Sequence, residues 1–242
     1  MVKREMYLER IRPFYDSEMV KVISGIRRCG KSTIMRQMIQ ELKDRNISDK
    51  KIIYINFEDY KYREICNADS LYNYIEKIVI EEEKYYLFFD EVQNVSEFEL
   101  VINSFRSTHD VSIFITGSNS MLLSGELATH LSGRTISFRI MPFNFREYCE
   151  CQSEMQRNKT KEELLDEYMK WGGFPLVCKE TDETSKEVIL SNIYDSVVLK
   201  DIVMRNKVAS PVALEKVLDY VVANSSTTIS GNAIASSLSN EN

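Results

Sequence analysis

The 242-residue sequence carries 31 Lys and Arg against 37 Asp and Glu, a formal charge of -6, with 43% hydrophobic and 28% charged residues and a pI near 5.2. That balance suits one sizeable core or two modest ones and argues against a broadly basic, polyanion-binding surface, so nucleic-acid contact would need a local basic patch. Charge interrupts the opening MVKREMYLERIRPFYDSEM every few positions, and no run reaches the roughly 18 apolar residues of a membrane span, so the expectation is a cytoplasmic protein without signal peptide or membrane partner.

Taken in chain order, ERIRPFY (9–15) is either a short N-terminal helix or a pad against a nucleobase. From there to Pro142, short runs rich in Val, Ile, Phe and Tyr alternate with longer helical stretches, the pattern of βα units feeding a parallel sheet buried on both faces. Strands are predicted at 19–24, 51–57, 85–90, 111–117 and 135–140, with helices at 31–45, 70–83, 98–109 and 120–133. In the first helix Ile34, Met38, Ile39 and Leu42 share one face at helical spacing and can pack on the sheet. After Pro142 the strand pattern stops, and helices are predicted at 143–150, 160–171, 185–204 and 211–223. The expected fold class is therefore α/β: a five-stranded parallel sheet flanked by helices in domain 1–142, a helical domain 143–224, and a last segment 225–242.

Within this layout GIRRCGKST (25–33) satisfies G-x-x-x-x-G-K-[ST] between a predicted strand and a predicted helix, the setting in which backbone N–H groups and a helix N-terminus cradle phosphates. Gly25 and Gly30 permit close backbone approach. Lys31 is the expected β/γ-phosphate contact and Ser32 the expected Mg²⁺ ligand, with Thr33 capping or touching the α-phosphate. Arg28 and Cys29 complete the candidate cradle; the positive surroundings of Cys29 could lower its thiol pKa, and the alternative is a small residue that simply fits. YYLFFDEVQ then runs five apolar or aromatic residues into Asp90 and Glu91, at the carboxyl edge where open α/β folds hold ligands. Asp90 is expected to hold Mg²⁺ through water and Glu91 to act as general base on the attacking water.

FITGSNS ends a third apolar strand in polar groups, so Ser118 or Asn119 is either a sensor of the γ-phosphate or a helix cap. LSGRTISF sets Arg134 before the last core strand, either as an arginine finger, in its own subunit or across to a neighbour, or as a structural arginine. WGGFP (171–175) reads as a helix stop with a fixed turn, and Trp171 as a packing anchor. Five cysteines without paired zinc spacing, with only His109 and His130, are read as reduced thiols rather than a metal cluster. No guanine-reading N-K-x-D is present, which ranks GTP below ATP.

GIRRCGKST, LFFDEVQ, FITGSNSMLL, LSGRTISFRIMPFNFREY, WGGFPLV and SNIYDSVVLKDIV occur in that order. Together they resemble the bacterial and archaeal family of AAA-superfamily ATPases in which the nucleotide domain precedes a helical segment, a winged helix and a C-terminal domain of unknown function. The resemblance implies a Mg-ATP site on Gly25, Gly30, Lys31, Ser32, Asp90 and Glu91, and strengthens Arg134 and Ser118. Family members are longer, so the sequence reads as truncated within the winged helix, with TTISGNAIASSLSNEN as its opening helices. Two functions are weighed on this basis: an Mg²⁺-dependent ATPase moving its helical domain, and a nucleotide-gated regulatory switch with slow hydrolysis. The expected partners are ATP, a DNA or protein partner met through the missing C-terminal region, and further copies of the chain in a homo-oligomer.

Overall fold

The computed structural model describes residues 2–80, 83–117, 131–155, 159–197, 202–203 and 210–239. The chain divides into two compact units, Met1–Ile193 and Tyr194–Asn242. In the first, helix α1 (Glu5–Ile11) precedes strand β1 (Val20–Gly25), helix α2 (Lys31–Asp44), strand β2 (Ile52–Asn56), helix α3 (Ala68–Glu76), strand β3 (Tyr85–Asp90), helix α4 (Phe98–Thr108), strand β4 (Val111–Thr116) and strand β5 (Thr135–Ile140). Helices α5 (Phe145–Glu154), α6 (Lys161–Trp171), α7 (Pro175–Lys179) and α8 (Glu183–Asp195) follow. The second unit contains α9 (Pro211–Ala223) and α10 (Gly231–Ser239). Each of these last two starts on a serine, Ser210 or Ser230, whose hydroxyl accepts a first-turn N–H.

The five strands pair in parallel in the order β2-β3-β4-β1-β5. Every residue of β1, β3 and β4 is buried, which explains why they are rich in apolar residues with only Lys21, Ser24, Asp90, Ser112 and Thr116 as buried polar exceptions, whereas the edge strands β2 and β5 are partly exposed. The period of two sends Leu87, Phe89, Ile113 and Ile115 to one face, against Leu71, Ile75, Phe98, Ile102 and Phe105 of α3 and α4. Phe88, Phe114, Ile23 and Ile140 go to the other, against Leu8 and Ile11 of α1 and Ile34, Met35, Met38 and Leu42 of α2. Phe88 and Phe114 stack there at 4.4 Å between centroids. Burying each such side chain fully contributes about 1.5–3 kcal/mol.

All five strands lie within a residue of their predicted ends, and α2 presents the predicted face, with Ile39 only partly buried. Helix α3 differs. An Asn67–Ser70 capping box starts it earlier than expected, and it ends at Glu76, before the β-branched run Ile78, Val79, Ile80, which weakens continuation. Val79 is buried as the chain turns toward β3. ERIRPFY forms the end of α1 and a following turn, and Tyr15 donates its hydroxyl to Glu41 of α2. The predicted helix 120–133 lies, apart from its last residues, outside the described residues. Sheet gives way to helices after residue 142 as predicted, but the compact unit continues through Ile193. There a separate apolar cluster forms around Val2, Phe143, Tyr148, Cys151, Leu164 and Cys178. WGGFP is a backbone junction: a Cβ on Gly173 would stand 2.0 Å from the Phe143 carbonyl oxygen. Trp171 is buried beneath the Lys170 and Lys186 ammoniums. Among the described residues no helix is long and apolar enough to cross a membrane.

Candidate active site

The strand order places the carboxyl ends of β1, β4 and β3 side by side, so the glycine loop after β1 and the acids ending β3 flank Thr116 at the end of β4. Gly25 is held there by contact: a Cβ would lie 2.4 Å from the Ile140 carbonyl oxygen of β5 and 2.8 Å from Cys29 Sγ. Gly30 is held by conformation, with φ of 105° at the N-cap of α2. No side chain caps that helix start. The Lys31 N–H faces the Cys29 sulfur, and the helix dipole adds partial positive charge at this end, a setting suited to a phosphate. Arg28 also has a positive φ, 63°, and its side chain is exposed.

Lys31 is buried, with Nζ 3.3 Å from the Gly25 carbonyl oxygen, 3.4 Å from that of Ile26, and 3.8 Å from Glu91 Oε1. Its charge thus spans both predicted halves of the site. Asp90 is fully buried; its Oδ1 accepts from the Thr116 hydroxyl at 2.5 Å and its Oδ2 from the Tyr54 hydroxyl at 2.8 Å. The same Thr116 oxygen accepts the Glu91 N–H at 3.0 Å. Glu91 itself has φ of 55°, a conformation costing about 1–3 kcal/mol that persists where the surroundings enforce it. Its Oε2 accepts from Gln93 at 2.6 Å. Burial, and then the Asp90 charge, push the Tyr54 phenol well above its ordinary range, so it stays a donor at physiological pH.

Ser32 and Thr33 sit half-buried in the first turn of α2, beside the loop as expected. Cys29 follows the second of its two readings, a small residue that fits, and not the activated thiol. Burial raises its pKa, outweighing the lowering by Lys31 and Arg4, and it packs in the core under the loop. Ser118 and Asn119 lie outside the described residues. Arg134 precedes β5, whose first residue pairs with Val20 and whose last pairs with Gly25. It therefore stands at the opposite edge of the sheet, roughly 16 Å from the loop at the usual rise per strand residue, exposed and donating to Asn103 at 2.9 Å. That placement sets it away from the glycine loop of its own subunit. Sequence reasoning does not single out Thr116 or Tyr54. The polar end of β4 was a signal for the first, whereas only the pairing of β2 with β3 reveals the second.

The donor set fits magnesium and not a closed metal cage. Among the described residues no cluster of three His, Cys, Asp or Glu is arranged to hold a metal. Magnesium keeps waters and binds through one or two protein oxygens plus substrate phosphates, and each Asp90 oxygen, though engaged by one hydroxyl, has a lone pair left for a bound water.

A family model described as AAA domain matches residues 17–149, and one described as Domain of unknown function (DUF8612) matches residues 162–242. An "Uncharacterized protein" of Haemophilus influenzae is 38% identical over the whole chain, and "Uncharacterized protein MJ1544" of Methanocaldococcus jannaschii is 35% identical over 78% of it. The chain spans 60% and 43% of these relatives' own lengths. In fold it is similar to a Walker-type ATPase of Pyrococcus abyssi, at a TM-score of 0.60 and 15% identity, covering 99% of this chain and 89% of that one. A DNA replication initiation factor shares the fold at a TM-score of 0.50 and 18% identity, with 90% and 68% covered. The parallel sheet, the glycine loop and the family match agree, and the chain belongs to the AAA domain family.

Proposed function

We propose that the chain binds ATP with Mg²⁺ and hydrolyses it, coupling nucleotide state to movement of its helical part. The observation carrying this reading is the convergence on Lys31, which bridges from the loop carbonyls toward Glu91 while Thr116 locks Asp90 and Glu91 together. In this reading the loop amides of residues 25–33 hold the phosphates. Lys31 exchanges its two long carbonyl contacts for phosphate oxygens. The Ser32 hydroxyl and Asp90 would hold Mg²⁺, which when bound would supply positive charge to neutralise the phosphates. Glu91, fixed by its own N–H and by Gln93, takes the proton of the attacking water. Ser118 reports the γ-phosphate. Arg134, far from its own loop, reaches a neighbouring copy's nucleotide in a homo-oligomer.

The test is Glu91→Gln, with nucleotide affinity read by calorimetry with and without Mg²⁺ and turnover by phosphate release. The variant should bind ATP as wild type does and lose a general base worth about 10²–10⁴ in rate. Unchanged turnover refutes the assignment of Glu91; no Mg²⁺-dependent binding by the wild type refutes the ATPase reading.

A further inference from the structure

One buried cation has no part in the mechanism above. Arg4 is 1% exposed, yet it donates in four directions. Its backbone N–H reaches Gln37 Oε1 of α2 at 3.0 Å, Nη1 the Cys29 carbonyl in the glycine loop at 3.1 Å, Nη2 the Met141 carbonyl after β5 at 2.8 Å, and Nε the Glu147 Oε1 of α5 at 2.7 Å. The guanidinium lies over the Tyr7 and Phe143 rings at 4.8 and 5.1 Å, which restricts its orientation. Glu147 is equally committed. Its Oε2 accepts the Asn144 N–H at 3.0 Å, closing the capping box that starts α5. One carboxylate thus holds a helix start and the arginine that holds the loop. That loop contains Arg28 at a positive φ, a conformation in need of external support.

We propose that Arg4 is a positioning residue, a latch through which the conformation of the glycine loop and the start of α5 are coupled. Resting on the nucleotide reading above, it supplies a route by which phosphate binding is felt in the helices after the sheet. Displacing the Cys29 carbonyl pulls the guanidinium, and the guanidinium pulls the carboxylate on which the α5 cap depends. The coupling is reciprocal, so α5 in turn sets loop affinity.

Removing one partner would leave a buried charge unpaired and could unfold the chain. The test is therefore the double variant Arg4→Met with Glu147→Gln, which removes both charges while the Gln amide oxygen can still close the cap. Urea denaturation establishes that the variant is folded. Mg-ADP affinity is measured by calorimetry, and amide hydrogen exchange of residues 145–154 is followed with and without Mg-ADP. In the wild type, nucleotide should slow exchange at the start of α5; in the variant that response should vanish and affinity fall about tenfold, within the usual range of coupling between sites. A folded variant with unchanged affinity and an intact α5 response overturns the latch. If the wild type binds no nucleotide, the ATPase reading fails separately. The latch is then decided in the nucleotide-free chain, where amides 26–31 must exchange several-fold faster in the variant, and equal rates overturn it.

Discussion

Lys21 offers a pH experiment whose size follows from its surroundings. It lies in the middle of the sheet with no exposed surface, its ammonium 4.6 Å over the Phe114 ring. It donates to the Ser17 carbonyl at 2.8 Å and to the Ser112 hydroxyl at 2.7 Å. Burial, with a smaller contribution from the nearby Lys84 charge and partial compensation by Asp16, drives its pKa down from the ordinary 10.5 to about 7. A neutral amine still has two N–H groups, so deprotonation need break neither bond. The folded pKa is depressed below the unfolded one, so the unfolded chain binds more protons between the two values and stability rises with pH across that window. At about 1.36 kcal/mol for each unit, the full difference is on the order of 5 kcal/mol, and between pH 7 and 9 about 2–3 kcal/mol is gained. Neighbouring groups stay constant: Asp16 is held below its ordinary pKa by Tyr86, and the Tyr86 phenol is pushed well above its own by burial. Urea denaturation of wild type and Lys21→Met should give curves that diverge with pH in favour of wild type, with a constant offset for the lost hydrogen bonds. A difference that stays flat from pH 7 to 9 refutes the reasoning.

Thr116→Val removes the Asp90 contact and leaves the Glu91 N–H without its acceptor; an unsatisfied buried group costs about 1–3 kcal/mol and displacement of the base about 10²-fold in turnover. Thr116→Ser should restore most of both, and equal turnover of Val and Ser variants in phosphate-release assays would contradict the clamp. Gly25→Ala drives a Cβ against backbone at 2.4 Å, so melting temperature and nucleotide affinity should both fall, and a wild-type melting curve would disprove the close approach. Thiol alkylation at pH 8, followed by peptide mass spectrometry, should modify exposed Cys66 quickly and buried Cys29 only on unfolding; equal rates would contradict the raised thiol pKa.

The strands were legible because β1, β3 and β4 are buried on both faces, which writes them as runs rich in apolar residues, interrupted only at buried polar positions such as Lys21 and Ser112. Spacing revealed Gly25, Gly30 and Lys31, and a strand end revealed Asp90 and Glu91. Strand order was not legible. Local pattern says nothing of which strands pair, so the clamp by Thr116 and the Tyr54 contact stayed hidden until β4 was found beside β3 and β3 beside β2. Arg134 was partly legible: a residue that precedes a parallel strand stands at the sheet's amino edge, away from a loop that follows one. Of the two readings open for Cys29, burial favours the small residue that fits; sequence displays neighbouring charges but not depth. Arg4 was invisible, since its partners come from α2, the loop, the exit of β5 and α5.

The strand bearing the glycine loop has no neighbour from the chain that immediately follows it. Among the described residues β1 pairs only with β4 and β5, so its ladder cannot form until the ribosome has passed Val111. A nascent chain halted earlier displays both sequence signatures without bringing them together, while carrying an apolar ribbon open to aggregation. Assembly of the pocket is thus a late event in biosynthesis, and chaperone demand should peak before β4 emerges.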